Sequence, residues 1–91
     1  MVVDSVWIKV EGSQVGAACD EAAAKLDNAG GEVVLDFSGV VRIDPGGLAA
    51  LEKLAAKAKE KTAKVTLCGV HVDVYKVLKL VKLTTKFSFM G

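Results

Sequence analysis

A single α/β domain with a twisted, mixed but mostly parallel sheet under covering helices is the fold class this sequence predicts. Three observations predict it. Short β-branched runs alternate with longer stretches of helical periodicity, in the order β-α-β-α-β-α-β. The breaks between them are brief, carry Gly, Ser, Asn and the chain's one Pro, and include no linker-like stretch. Finally, 91 residues that are 52% hydrophobic supply one core and no second. Periodicity leaves open whether the helices cover one face of the sheet or both.

Val6-Trp7-Ile8-Lys9-Val10 is the first strand, stopped by Glu11-Gly12-Ser13, and Val2-Val3 is a candidate short edge strand ahead of it. Val15, Ala18, Cys19, Ala22 and Leu26 then recur at helical spacing, with Asp20, Glu21, Lys25 and Asp27 on the other faces. Ser13 suits the N-cap of this helix, and Asn28-Ala29-Gly30-Gly31 reads as its stop. Val33-Val34-Leu35-Asp36-Phe37 is a nearly continuous apolar run, as a central strand requires, and Ser38-Gly39 breaks it.

Val40-Val41-Arg42-Ile43 leads into Asp44-Pro45-Gly46-Gly47 and a second helix over about 45–60. Asp44 as N-cap accepts from free N–H groups, and Pro45 at the first helical position lacks only a donor that has no helical partner. Leu48, Leu51, Leu54, Ala55 and Ala58 form its inner stripe, Lys53, Lys57, Lys59 and Lys61 its wet back, and Glu60 and Lys64 are spaced to pair. Val65-Thr66-Leu67-Cys68-Gly69 is the next strand. A shorter helix over about 73–80 places Val74, Val77, Leu78 and Val81 at helical spacing, and Phe87-Ser88-Phe89 alternates as a last strand.

Composition narrows the function classes. The net charge of +1 conceals three Lys/Arg against eight Asp/Glu in residues 1–50, and nine Lys against three acidic residues in 51–91. The lysines from 53 to 64 are not interleaved with aromatics, so they suit a solvated helix back or an acidic protein partner, and no nucleic-acid partner is expected. Asp4 and Lys9 interrupt any signal-like start, and no apolar run approaches the roughly 20 residues of a membrane span. The expectation is therefore a cytoplasmic protein without direct membrane insertion, with a peripheral membrane partner left open.

Candidate chemistry is sparse. Cys19 and Cys68 lack CxxC spacing and read as small buried hydrophobes. His71 has no nucleophile in its motif, and Cys68 with His71 falls two ligands short of a metal site. Asp36 ends a strand and Asp44 starts a helix, but a catalytic pair needs a cleft holding both at roughly 5–9 Å, which so short a chain rarely encloses. Gly39 and Gly46-Gly47 fit neither phosphate-loop nor dinucleotide spacing, so no cofactor is expected. The Gly46-Gly47 helix start leaves three uses open: an anion site, a partner contact, or a purely structural start.

Val33-Val34-Leu35-Asp36-Phe37-Ser38-Gly39-Val40 followed by Ile43-Asp44-Pro45-Gly46-Gly47-Leu48 resembles the signature of STAS domains. That family includes bacterial anti-sigma factor antagonists, sulfate transporter tails and lipid-transport accessory proteins. The resemblance is close over residues 33–89 and looser over 6–32, where the usual Gly-x-Leu-Asp segment is reduced to Gly12-Ser13-Gln14-Val15. It implies one non-catalytic, protein-binding domain whose partner surface is formed by Asp36, Ser38, Gly39, Asp44, Pro45, Gly46 and Gly47. In the antagonists, a partner kinase phosphorylates the second serine of Ile-Asp-Ser-Ser-Gly-Leu; the matching position here is Gly46, preceded by Pro45, and neither accepts a phosphate. The resemblance thus implies an anti-sigma factor antagonist-like regulator, partnered by a serine kinase-like protein, without the usual switch. The alternative it offers is a STAS subunit docked on the cytoplasmic ATPase or permease of a phospholipid transporter.

Overall fold

The computed structural model describes residues 5–12, 14–29 and 32–90. Its elements run β1 (Ser5–Lys9), α1 (Val15–Ala29), β2 (Glu32–Asp36), α2 (Pro45–Glu60), β3 (Lys64–Cys68), α3 (Val72–Leu80) and β4 (Ser88–Met90). This is the order the periodicity predicts. The candidate strand at Val2-Val3, the Ser13 cap and the Gly30-Gly31 stop lie outside the described residues. Asn28 and Ala29 still belong to α1, so the helix runs into the stretch read as its end.

The strands pair in parallel in the order β1-β2-β3-β4, with Ile8, Leu35, Leu67 and Phe89 in register across the sheet. The first three strands begin and end one residue earlier than predicted. The predicted ends nonetheless remain tied to the ladder: Val10 N–H donates to the Asp36 carbonyl at 2.9 Å, and Phe37 N–H to the Cys68 carbonyl at 2.8 Å.

Side chains alternate along each strand, so Ile8, Val33, Leu35, Val65 and Leu67 face one side. On that side they join the stripes of all three helices in one core: Val15, Ala18, Cys19, Ala22 and Leu26 of α1, Leu51, Leu54, Ala55 and Ala58 of α2, and Val74 and Leu78 of α3. Fully burying a Leu such as Leu35, Leu51 or Leu67 stabilises the fold by about 1.5–3 kcal/mol each. Leu48 is only half-buried. The one-sided cover follows from topology, because right-handed crossovers between strands laid down in sequential order all fall on the same face.

Among the described residues, no helix covers the opposite face. Trp7, Val34, Thr66 and Ser88 form one row across it, and Trp7 is 59% exposed. Thr66, buried on this face, donates its hydroxyl to the Glu32 carboxylate at 3.0 Å. Cys68 shares the face and is half-buried, which corrects its reading as a core residue; Cys19 is buried as expected.

Two helix ends share one device. After α2, Ala63 N–H donates to the Ala58 carbonyl and Thr62 N–H to that of Lys59. After α3, Leu83 N–H donates to the Leu78 carbonyl and Lys82 N–H to that of Lys79. Both are Schellman motifs, whose turning residue normally is glycine. Here Thr62 sits at φ 54° and Lys82 at φ 64°. The motif makes Val81 the C-cap, partly exposed rather than on the buried stripe, and Lys64 opens β3 instead of pairing with Glu60 along a helix. A β-branched residue in the left-handed region is strained. Thr62→Gly is therefore expected to raise the unfolding free energy by about 0.5–1 kcal/mol despite glycine's looser unfolded chain. Urea denaturation checks this; a lowered midpoint would mean that the Thr62 side chain contributes more than its backbone costs.

Candidate functional site

The candidate residues gather where the chain leaves the carboxyl ends of β1, β2 and β3. Asp36 closes β2, and its Oδ1 accepts the Ser38 N–H at 2.9 Å, making a local turn that holds the 36–40 loop. Hydrogen bonds from Ser38, backbone first and side chain second, hold the Asp36 carboxyl below its ordinary 3.8; burial opposes this, and Lys9, its register partner, adds the smallest pull. A depressed carboxyl stabilises the fold above its unfolded pKa, and the contribution is lost as pH falls through the folded value. Asp36→Asn should thus remove part of the loss of stability expected on acidification below about pH 4. Urea midpoints measured down the acid range check this, and an unaltered slope would uncouple the turn from folding.

The same loop rests on the turn after β3. Gly69 has φ 64°, and a Cβ there would lie 3.0 Å from the Ser38 Cβ and 3.3 Å from its backbone. His71 follows at the N-cap position of α3. Its side chain does not cap that helix; its Nε2 instead donates to the Ser38 carbonyl at 2.9 Å. On the other flank, a Cβ at Gly39 would sit 3.4 Å from the Val10 carbonyl. Ser38 and Gly39 are thereby held between the ends of β1 and β3.

Beside this loop α2 begins. The Asp44 Oδ1 accepts the Gly47 N–H at 2.7 Å, and Pro45 takes the first helical position, as the sequence predicts. The two glycines differ in kind. Gly47 is buried, and a Cβ there would meet Ile43 Cγ1 at 3.0 Å, Asp44 Oδ1 at 3.2 Å and Val15 Cβ at 3.3 Å. At Gly46 the nearest atom is Asp44 Oδ1, at 3.6 Å, and the position is exposed. Gly47 is needed for close packing of α2 on α1, whereas Gly46 presents bare backbone to solvent.

Asp36, Ser38, Gly39, Asp44, Pro45, Gly46 and Gly47 thus lie on the two loops that frame this edge, with Ser38, Gly39, Asp44, Pro45 and Gly46 exposed, Asp36 half-buried and Gly47 buried beneath them. Asp36 and Asp44 do not converge on a cleft. A recess of about 220 Å³ beside Asp44 is lined by Gly12, Val15, Val41 and Arg42, and by neither Asp36 nor His71. The topology explains this: an open α/β sheet makes a crevice where strand order reverses and helices part to opposite faces, and this sheet has no reversal. Among the described residues, no group of three or more His, Cys, Asp or Glu is placed to hold a metal ion. Burial, then Asp20, pushes the Cys19 thiol up to about 12, which suits an inert core residue. The Gly69 and His71 contacts with Ser38 escaped the sequence; the local trace is the glycine that closes the predicted strand over 65–69.

An exposed loop and helix start, where Gly39 and Gly46 leave backbone open to approach, is suited to docking against another macromolecule. Over 53 residues, 58% of this chain, the sequence is 45% identical to the intermembrane phospholipid transport system binding protein MlaB of Escherichia coli (strain K12). The MlaB of Shigella flexneri matches to the same extent. The matched stretch spans only about half, 55%, of MlaB's own length. The fold is similar to the STAS domain of a SulP transporter from Vibrio cholerae, with a TM-score of 0.76 at 18% identity, covering 99% of this chain and 76% of that one. It is also similar to an anti-sigma-factor antagonist (STAS) domain protein from Planctomyces limnophilus, with a TM-score of 0.69 at 19% identity, covering 84% of this chain and 67% of that one. No helix of the described residues is long and apolar enough to cross a membrane. The family model described as "Mlab, STAS domain" matches residues 9–89, nearly the whole chain, and the chain belongs to the STAS domain family.

Proposed function

We propose that this domain is a non-catalytic docking subunit of a phospholipid transporter, bound to its cytoplasmic ATPase or permease through the 36–40 loop and the start of α2. The observation that carries this reading is the 45% identity to MlaB. It reverses the order suggested by the STAS signature, which put an anti-sigma factor antagonist first. Likeness to the antagonist structure lies below 20% identity and speaks to fold alone. The absence of a hydroxyl at Pro45 and Gly46 also fits a constitutive dock better than a phosphorylation switch.

The partner surface would consist of Asp36, Ser38, Gly39, Asp44, Pro45, Gly46 and Gly47, with Gly46 offering close backbone approach and Gly47 supporting it from below. Co-expression with the ATPase and permease of its own organism's phospholipid transporter tests the assignment. The chain should co-purify stoichiometrically with the ATPase–permease assembly. Failure to do so, with stable capture of a purified serine kinase-like anti-sigma factor instead, would restore the antagonist reading.

A further inference from the structure

The outward side of α3 is less polar than a solvent-facing helix surface usually is. Helical spacing puts Lys76, Lys79 and Leu80 on one side, away from the buried Val74 and Leu78. Leu80 is 82% exposed, the highest value among the exposed large hydrophobic side chains described, and Val81 beside it is 39% exposed. Val72 and Tyr75 line a separate recess with Phe89 and Met90 at the start of α3, so Leu80 and Val81 are the exposed apolar pair at its end.

Cations ring the end of this helix. The Schellman turn holds Lys82 at φ 64°, where glycine would be easier, and Lys86 N–H donates to the Leu83 carbonyl at 3.0 Å in the next turn. Val81, Lys82 and Lys86 then line one recess of about 390 Å³, with Glu52 of α2 as the acidic side chain on its rim. From residue 74 to 91 the sequence holds four Lys, no Arg and no acidic residue; Asp73 lies in the first turn of α3, at the far end.

We propose that this face, centred on Leu80 and Val81 and ringed by Lys76, Lys79, Lys82 and Lys86, binds the anionic phospholipid headgroups of a bilayer surface. Aliphatic side chains among lysines suit that occupant: the chains enter the interface, the lysine stems lie along them, and the ammonium groups reach the phosphates. An acidic protein fits less well. Protein interfaces are depleted in Lys and draw on Arg, Trp and Tyr, and Arg matches planar carboxylates in a way Lys does not. Single-stranded nucleic acid would need free aromatic faces for stacking, whereas Tyr75 is engaged edge-on with Phe89 at a centroid separation of 5.3 Å. The surface is separate from the start of α2 and goes beyond the docking reading.

Co-sedimentation with phosphatidylcholine vesicles, with and without phosphatidylglycerol, tests the proposal. The full chain should pellet only with the anionic vesicles, and less as salt is raised. Lys79→Gln and Lys82→Gln should each lower partitioning by about fivefold, and Leu80→Ser by about three- to tenfold. Trp7, on the sheet face opposite the helices, should keep its emission maximum on binding. No pelleting with anionic vesicles at low salt would overturn the proposal. A blue shift of Trp7 would overturn it by placing the sheet face against the lipid. Equal binding to polyglutamate or single-stranded DNA, indifferent to Leu80→Ser, would overturn it in favour of a general cationic surface. Neither Lys79, Lys82 nor Leu80 belongs to the proposed transporter contact, so failure here leaves that reading standing.

Discussion

Gly69→Ala is expected to lower the unfolding free energy by about 2–3 kcal/mol, a large effect for removing a glycine. Two costs add. The residue sits at φ 64°, where an L side chain crowds its own carbonyl, and the new methyl would lie 3.0 Å from the Ser38 Cβ and 3.3 Å from its backbone. The Ser38 backbone cannot yield freely, because its N–H is bonded to Asp36 and its carbonyl to His71. Against this stands only the reduced freedom of the unfolded chain, about 0.4–1 kcal/mol in alanine's favour. The same substitution at Gly16 should have the opposite sign. That glycine lies in the first turn of α1 with nothing within 4 Å of an added Cβ, so Gly16→Ala should stabilise by about 0.4–1 kcal/mol. Thermal unfolding reads both, at about 4–8 °C per kcal/mol for a domain of this size. Two shifts of the same sign would disprove the distinction between a spatially constrained glycine and a merely permissive one.

Gly46→Asp should leave the fold intact and weaken binding to the proposed transporter partner at least tenfold, about 1.4 kcal/mol. The structure separates the two effects. An added Cβ meets only Asp44 Oδ1, at an ordinary 3.6 Å, so the side chain has room. A carboxylate in the first turn of α2 interacts favourably with the helix N-terminus by about 0.3–1 kcal/mol, although the neighbouring Asp44 takes back part of this. Weaker binding at unchanged or higher thermal stability would therefore report a contact rather than a folding defect. Gly46→Ser is the companion variant: it restores a hydroxyl where the STAS signature has one, adds no charge, and should cost far less affinity. Calorimetric titration against the purified ATPase–permease assembly distinguishes the pair. Equal affinity for the parent and the Asp variant would remove this helix end from the interface.

How much was legible depended on distance along the chain. The start of α2 was readable in full, because Asp44, Pro45 and Gly47 settle it within three residues through one hydrogen bond and one missing donor. The residues proposed as the partner surface were legible as a motif, yet their difference in surroundings was not: Gly46 and Gly47 are adjacent and identical in sequence, and only Ile43 and Val15 packed against the second leave no room for a side chain. The seating of Ser38 on Gly69 and His71 joins positions more than thirty residues apart, beyond the reach of any local pattern. Val81 was misplaced for a related reason. Its spacing fits the stripe of α3, but the Schellman turn ends the helix at Leu80 and leaves Val81 partly exposed.

By itself the sequence determined the α/β class, the order of the seven elements, their apolar stripes and the capped start of α2. Periodicity and capping depend on neighbours within one or two turns or strand steps, so they are written locally. Only the tertiary structure decided that the three helices lie on one face, that the strand order runs without reversal, and that Leu80 stands exposed in solvent. Those outcomes depend on the handedness of crossovers and on which elements share a core. They are properties of the whole chain packed at once, and no single segment encodes them.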